Sequence, residues 1–318
     1  MIQARRNEEV KTESFECIKI NTVPKLRPSR PADWGCGMTV CIAAICESGY
    51  GLVFAMDMMV SMGWVSMDAQ AFKAFRLSPN WHALFAGDDI SPTEPILRSV
   101  RKSLKTCSND LPEVMNVFAG AYQDHLQLQA TNQVLSRYHW TLDSFLREGP
   151  QALGPEGFAD IRQQYETVKF DCEFLVCGFD YEHKAHIFTV KNPGVPENRS
   201  QVGFWAVGTG EYMALANLMG REVHIPTEKI ERVIYYICEA KFAAERATGV
   251  GKSTILVGRK SRPEQMFTLM SGKDFLPIKE AWEKDVKNKI PDNVDQILQK
   301  CVRWEPFKSP DVDSSNQD

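Results

Sequence analysis

Two short apolar runs joined by a glycine-containing turn are the feature that most constrains how this chain folds. The first run covers residues 39–45, and the second covers residues 52–56 and ends on Asp57. The connecting residues 47–51 include two glycines. Apolar runs of this length with such a turn between them are typical of a β-hairpin. The sequence therefore predicts a hairpin that starts abruptly at residue 39 and places an acidic side chain where its second strand leaves the core.

The chain of 318 residues is long enough for one large domain with appendages. Residues 1–38 contain Lys, Arg, Glu, Pro and Ser with few apolar residues in any period, and their prolines forbid a long helix. We expect these residues to be a disordered or removable N-terminal extension. The main domain is predicted over residues 39–262. A C-terminal strand, one amphipathic helix and a polar tail are predicted over residues 263–318.

The rest of the chain alternates between strand-like and helical periodicity. Strands are predicted over residues 71–77, 81–86, 170–179, 185–190, 203–207, 254–258 and 265–269. Helices are predicted over residues 93–104, 112–147, 211–219 and 227–247, with a break at residues 149–155. Groups of strands that alternate with groups of helices favour antiparallel sheets covered by helices over a parallel βαβ sheet.

Composition and charge narrow the possible partners and the compartment. With 43% hydrophobic and 25% charged residues, the chain has the material for a globular core. A net charge of −4 gives no support to a nucleic-acid or acidic-membrane partner, and no apolar run reaches the roughly 18 residues that cross a bilayer. The nine cysteines form an odd set, which we interpret as reduced thiols in the cytoplasm. Five of them lie inside apolar segments, at positions 41, 46, 172, 177 and 238.

Four residues stand at intervals that carry a family resemblance. They are Thr39 at the start of the first strand, Asp57 at the end of the second, Lys73 in the next alternating run, and Gly87. Singly, each has an ordinary explanation as a strand or turn residue. The interval of sixteen residues from Asp57 to Lys73, and that of fourteen from Lys73 to Gly87, resemble the active-site spacing of proteasome β-type subunits, which are N-terminal nucleophile hydrolases.

Neighbouring segments extend this resemblance from residue 39 to about residue 258. Residues 38–43 and 51–57 are particularly similar to bacterial Anbu-type proteasome homologues, and residues 174–180 and 206–212 resemble the family's central strands. The resemblance implies an α+β fold, a four-layer αββα sandwich of two antiparallel sheets between helix layers. It also implies a threonine-type amide hydrolase, a peptidase that acts on peptide or amide substrates and forms a homo-oligomeric ring or stack. It leaves open whether an ATPase partner is needed.

The resemblance assigns a role to each of the four residues. Thr39 is the nucleophile, activated by its own α-amine once that amine is exposed, because a threonine hydroxyl needs a base to remove its proton. Lys73 supplies positive charge for the developing alkoxide, and Asp57 holds and orients that ammonium group. The backbone N–H of Gly87 meets the oxyanion, and a side chain at this position would obstruct the substrate.

Other positions match the family less closely. Thr209 and Thr248 occupy the places of the family's supporting serines. Glu245 or Arg246 stands where the family has an aspartate. Methionines at residues 58–59 replace the small residue and the arginine that usually follow the acid.

The nucleophile and its N-terminus leave alternatives open. Asp57 arrives two residues later than in the family. Either the turn at residues 48–51 holds two extra residues, or Cys41 is the nucleophile in place of Thr39. Met38 and the residues before it block the amine of Thr39. The extension is therefore a removable propeptide, or translation starts at Met38, or the chain is a catalytically inactive scaffold or assembly subunit that retains the extension.

The sequence gives no support to a cofactor or a metal ion. Residues 249–254 look like the end of a P-loop, but the pattern requires a glycine where Arg246 stands. It also requires a preceding strand and a following helix, and here the predicted order is the reverse. Cys172 and Cys177 lack the second pair of ligands that a zinc site needs.

Overall fold

The structure is a computed structural model that describes residues 39–62, 65–68, 73–87, 90–270, 274–284, 290, 293–303 and 305–306. The predicted extension of residues 1–38 lies outside the described residues. So do the polar end of the tail, from residue 309 onwards, and the first two residues of the predicted strand 71–77.

The described residues form thirteen strands and seven α-helices. The strands are β1 (Cys41–Cys46), β2 (Gly51–Asp57), β3 (Met59–Met62), β4 (Val65–Asp68), β5 (Ala74–Arg76), β6 (Trp81–Gly87), β7 (Cys172–Phe179), β8 (Ala185–Lys191), β9 (Val195–Asn198), β10 (Phe204–Val207), β11 (Thr254–Ser261), β12 (Glu264–Met270) and β13 (Glu305–Pro306). The helices are α1 (Thr93–Leu104), α2 (Leu111–Ala130), α3 (Leu142–Glu166), α4 (Glu211–Met219), α5 (Ile230–Ala244), α6 (Leu276–Lys284) and α7 (Val294–Cys301). None of these helices is long and apolar enough to cross a membrane.

Two antiparallel sheets contain most of the strands. The first sheet has the order β10-β1-β2-β11-β12-β13, and the second has the order β5-β6-β7-β8-β9, while β3 and β4 form a separate two-stranded ribbon. The predicted hairpin is β1 with β2, and within the first sheet Cys41 of β1 lies opposite Met56 on one side and Val207 on the other. This register brings the residues just before Cys41 beside Asp57, where β2 ends.

The strand β1 is apolar along its whole length because both of its faces are buried. Ile42 and Ala44 belong to the core that includes the helices on the first sheet. Cys41, Ala43 and Ile45 belong to a second core, between the two sheets. A strand with two buried faces reads as a continuous apolar run rather than as an alternation.

Helices cover the outer face of each sheet. The helices α4, α5, α6 and α7 pack on the first sheet through a core that includes Ile234 and Leu298. The helices α1 and α2 pack on the second sheet through a core that includes Leu97 and Phe118. With the core between the sheets, these layers confirm the predicted α+β sandwich of two antiparallel sheets between helices.

The helix predicted over residues 112–147, and the break predicted after it, are wrong in part. The helix α2 ends at Ala130, and a π-helical turn and a 3-10 turn lead to α3, which continues through residues 149–155. Within α3, Gly154 leaves the helical region, with φ 69° and ψ 172°. Pro155 directly follows this kink and so begins the next helical segment, where its missing N–H breaks no hydrogen bond.

The described residues of the C-terminal region form two helices where the sequence predicted one. Both α6 and α7 pack on the core of the first sheet, through Ile278 and Leu298 respectively. Helices of eight or nine residues are unstable in isolation, so these contacts maintain them. A helix this short contains few repeats of the apolar helical spacing, which explains why the sequence predicted one helix rather than two. The strand predicted in this region is β12, which pairs with β11.

No disulfide links the cysteines of the described part of the chain. The cysteines that the sequence placed in apolar segments are buried, at positions 41, 46, 172, 177 and 238. Burial raises the pKa of the Cys177 and Cys238 thiols well above the ordinary value. These two thiols therefore act as small apolar core side chains rather than as nucleophiles.

The aromatic packing of α2 on the second sheet generates a stability prediction. The ring of Phe118 is fully buried, and its centroid lies 5.1 Å from that of Phe174 and 6.2 Å from that of Phe188. Because Phe118→Ala removes these contacts and leaves a cavity, we expect the free energy of unfolding to fall by about 3–5 kcal/mol. Leu128→Ala is the control on the same helix, since Leu128 is 54% exposed and its truncation should change that free energy by less than about 0.5 kcal/mol. Urea denaturation measures both effects, and equal losses would contradict this packing.

Candidate active site

Thr39 lies two residues before the start of β1 and is enclosed by the turn that follows β10. The N–H of Gly210 donates to the carbonyl oxygen of Thr39 at 3.2 Å. Gly208 has a φ of +92°, and a Cβ atom at this position would lie 2.6 Å from the same oxygen. Because only glycine tolerates both that conformation and that close approach, the turn fixes the backbone of Thr39.

Asp57 ends β2, and its side chain is fully buried. Backbone N–H groups donate to both carboxylate oxygens: Val40 to Oδ1 at 3.0 Å, and Met59 and Gly251 to Oδ2 at 3.2 Å each. Burying a carboxylate is unfavourable unless hydrogen bonds and an opposite charge compensate. These backbone donors provide the first part of that compensation and fix the orientation of the acid.

Lys73 supplies the opposite charge from the second sheet. It lies just before β5, where its carbonyl oxygen accepts from the N–H of Phe85 at 2.9 Å. Its Nζ donates to Asp57 Oδ1 at 3.0 Å and also to the hydroxyl oxygen of Thr39, which in turn donates its proton to Asp57 Oδ1. All three side chains are buried. The structure thus brings together three of the four predicted residues, Thr39, Asp57 and Lys73, in one hydrogen-bonded cluster.

Gly87 ends β6, two residues beyond Phe85, whose carbonyl oxygen lies 3.3 Å from the Sγ of Cys41. Its φ is +149°, which side-chain-bearing residues rarely adopt. A Cβ atom at this position would lie 2.6 Å from the Cα of Cys172 and would also collide with the carbonyl oxygen of Asp171. The sequence predicted a glycine here to leave room for substrate, whereas in the structure the close backbone of β7 already requires it. The oxyanion role of its N–H stays a prediction.

Cys41, the alternative nucleophile, has a different environment from Thr39. It is fully buried in the core between the sheets, and its Sγ donates to the carbonyl oxygen of Phe85. Burial raises the pKa of its thiol well above the ordinary value, although the charge of Lys73 acts in the opposite direction. A thiolate is the reactive form of cysteine, so this environment disfavours Cys41 as a nucleophile.

The two threonines predicted in supporting positions have different surroundings. Thr209 lies between Gly208 and Gly210 in the turn that encloses Thr39. Thr248 is exposed in the turn that follows α5. The loop that continues this turn contacts the site through the N–H of Gly251, which donates to Asp57 Oδ2.

The two candidates for the position where the family has an aspartate, Glu245 and Arg246, have different contacts. Glu245 forms ion pairs with Lys241 and Lys279, each at 2.9 Å. Arg246 is exposed, with its guanidinium 5.9 Å from the ring centroid of Trp282. Glu245 is therefore the one of the two that belongs to the buried polar groups around the site.

Glu173 is a titratable group that the sequence reasoning missed. It lies on the same face of β7 as Leu175 and Cys177, which face the first sheet. Burial, and then the carboxylate of Glu211, raise the pKa of Glu173 to about 7. Its charge also acts on the thiol of Cys41, so a carboxyl group that changes charge near neutral pH lies close to the strand that follows Thr39. A single acid inside an apolar strand carries no motif that would have identified it.

In the part of the chain that the structure describes, no group of three or more His, Cys, Asp or Glu side chains is arranged to hold a metal ion. Within the cluster, Lys73 Nζ forms an ion pair with Asp57 Oδ1 at 3.0 Å.

The close packing around Gly87 generates the second prediction. Gly87→Ala forces a Cβ atom into the backbone of β7 at a positive φ, so we expect the free energy of unfolding to fall by about 2 kcal/mol or more. Gly120→Ala is the matched control, because Gly120 lies in α2 with no atom within 4 Å of its Cβ position. That change should instead stabilise the protein by about 0.5–1 kcal/mol. Thermal and urea unfolding compare the two variants; a neutral Gly87→Ala would show that the two strands do not approach this closely.

Comparisons with known proteins agree with this fold. The chain matches no protein-family model and no curated protein sequence. Among solved structures, it is similar to a Gly-1 mutant of Anbu from Hyphomicrobium sp. strain MC1, with a TM-score of 0.54 and 15% sequence identity over 85% of this chain and 100% of that chain. The likeness confirms, at the level of the fold, the predicted resemblance to Anbu-type proteasome homologues. The chain therefore has a proteasome-like fold.

Proposed function

We propose that this protein is a proteasome-like threonine-type amide hydrolase, a peptidase, whose nucleophile is Thr39 once its α-amine is exposed. The observation that carries the proposal is the buried hydrogen-bonded cluster of Thr39, Asp57 and Lys73. A hydroxyl group that contacts both an ammonium group and a carboxylate is arranged for nucleophilic attack with stabilisation of the charge that develops.

The reaction proceeds in two half-reactions. The α-amine of Thr39 takes the hydroxyl proton while Oγ1 attacks the carbonyl carbon of the substrate, since an α-amine ordinarily has a pKa of about 8 and can act as a base near neutral pH. The C–N bond of the tetrahedral intermediate then breaks, the amine leaves with the proton, and an ester remains on Thr39. Water hydrolyses this ester, with the α-amine again as base, and the hydroxyl is restored.

The other two members of the cluster stabilise charge. Lys73 donates to Oγ1 and therefore favours the developing alkoxide, while Asp57 keeps the ammonium group in place. The backbone N–H of Gly87 would donate to the oxyanion of the tetrahedral intermediate. Loss of one such donor in other enzymes slows the reaction by an amount equivalent to about 3 kcal/mol.

This mechanism requires a free amine on Thr39. In the chain of 318 residues, Met38 precedes Thr39 and acylates that nitrogen. The amine becomes available when residues 1–38 are removed as a propeptide. It also becomes available when translation starts at Met38 and that methionine is cleaved, which a small next residue such as threonine permits.

The 38 residues that precede Thr39 favour a second candidate function. With the extension retained, the same fold would serve as a catalytically inactive scaffold or assembly subunit. In that case the buried cluster is structural, and the paired charges of Asp57 and Lys73 join the two sheets without taking part in chemistry.

We further propose that the chain forms a homo-oligomer, a ring or a stack, in the cytoplasm. The helix α4 exposes three large apolar side chains, Tyr212 (83%), Met213 (48%) and Met219 (58%). Apolar side chains grouped on one helix of a globular protein are typical of a protein–protein interface. We leave the need for an ATPase partner open.

The catalytic proposal predicts the behaviour of two Thr39 variants. In protein whose terminus has been processed to residue 39, Thr39→Ala removes the nucleophile, so hydrolysis of fluorogenic peptide amides should fall by about a thousandfold or more. Thr39→Ser retains the hydroxyl and should keep a measurable fraction of the rate. Thr106→Ala is the control, because Thr106 is exposed in the loop after α1.

The same assay separates the two candidate functions. If the processed Thr39→Ala variant still hydrolyses the substrate, a residue other than Thr39 is the nucleophile. A processed chain that hydrolyses no amide substrate, with or without Thr39, would favour the scaffold.

A further inference from the structure

A chain of polar contacts leads from the active-site cluster to the C-terminal helix α6. The N–H of Gly251 donates to Asp57 Oδ2 at 3.2 Å, and the carbonyl oxygen of the same glycine accepts from Lys241 Nζ at 2.7 Å. Lys241 Nζ also donates to Glu245 Oε1 at 2.9 Å. The other oxygen of Glu245 accepts from Lys279 Nζ of α6 at 2.9 Å.

Lys241 is an unusual side chain for its position. It is fully buried on α5, among neighbours that pack on the first sheet, and lysine is rarely buried unless it is paired. Burial lowers the pKa of its ammonium group, and the Glu245 carboxylate opposes that shift. The ion pair of Lys241 with Glu245 therefore stands where an apolar side chain would pack without the cost of removing charges from water.

The contacts of Gly251 indicate what this buried ammonium group does. Glycine has the widest choice of backbone conformation. The two peptide groups on either side of its Cα therefore keep a fixed orientation only when hydrogen bonds hold both of them. In Gly251 the N–H is bonded to Asp57, and the carbonyl group on the other side of its Cα is bonded to Lys241. The ammonium group thus sets the direction in which the N–H of Gly251 points.

We propose that Lys241 is a positioning residue of the Thr39–Asp57–Lys73 site. It holds Gly251 so that its N–H donates to Asp57, and this third backbone donor keeps the carboxylate aligned with Lys73 and Thr39. Glu245 balances the charge of Lys241, and Lys279 connects the arrangement to α6. The catalytic part of this inference rests on the proposed amide hydrolase function, whereas the positioning of Gly251 does not.

The test replaces Lys241 by methionine, which has similar length but no donor. Lys241→Met does not leave Glu245 unpaired, because Lys279 still contacts it. In the full chain, we expect the amide of Gly251 to exchange with deuterium at least about tenfold faster, since the carbonyl anchor is lost. In the processed enzyme, we expect kcat to fall about tenfold or more while KM stays within about twofold, because Lys241 acts on the alignment of the nucleophile rather than on bound substrate.

Lys279→Met is the matched control. It also removes one lysine from Glu245, but it leaves the contact between Lys241 and Gly251 in place. The exchange rate of the Gly251 amide should therefore stay within about twofold of that of the unmodified chain. Amides of β11 report general destabilisation, and in both variants we expect them to exchange at the same rates as in the unmodified chain.

Several results distinguish the parts of this inference. Unchanged exchange at Gly251 in Lys241→Met would overturn it, as would equal acceleration at Gly251 and throughout β11. Selective acceleration at Gly251 with unchanged kcat in an active enzyme would overturn the catalytic part. Selective acceleration in a processed chain that shows no hydrolysis at all would support the positioning role of Lys241 and count against the proposed function instead.

Discussion

The burial of the Asp57 carboxylate is the constraint on which the rest of this site depends. An isolated carboxylate is not stable in a protein interior, so its partners must come to it. They come from three separate parts of the chain: Val40 at the start of the first sheet, Lys73 from the second sheet, and Gly251 from the loop before β11. Satisfying one acid therefore joins the two sheets at this end of the sandwich and brings the hydroxyl of Thr39 into the same cluster.

Periodicity was sufficient to predict antiparallel sheets covered by helices, and the family resemblance predicted the four-layer sandwich and the meeting of Thr39, Asp57 and Lys73. The hairpin accounts for part of that meeting, because a short turn fixes its register and places the start of β1 beside the end of β2. The continuous apolar character of β1 also follows from its two buried faces. At 15% identity to the Anbu structure, the likeness concerns the fold, and the proposed chemistry depends on the geometry of these side chains.

The features that the sequence did not predict are those without a side-chain signal. Gly251 contributes a backbone N–H to Asp57, which no side-chain pattern reveals. The segment around it, residues 249–254, resembled the end of a P-loop only by its composition. Lys241 belongs to no motif that would have identified it, although it is fully buried. The requirement for glycine at position 87 comes from the approach of β7, a strand more than eighty residues later in the chain, so no local pattern could reveal it. The helices α6 and α7 are short and depend on tertiary contacts.

The central claim is that Thr39 acts as an N-terminal nucleophile, and it is tested most directly by the intact mass and N-terminal peptide of the chain purified from its native source. A peptide bond on the nitrogen of Thr39 is incompatible with a base at that position. We predict a mature chain that begins at Thr39 with an unmodified α-amine. A native chain that begins at Met1, or one with a blocked amine on Thr39, would contradict the claim.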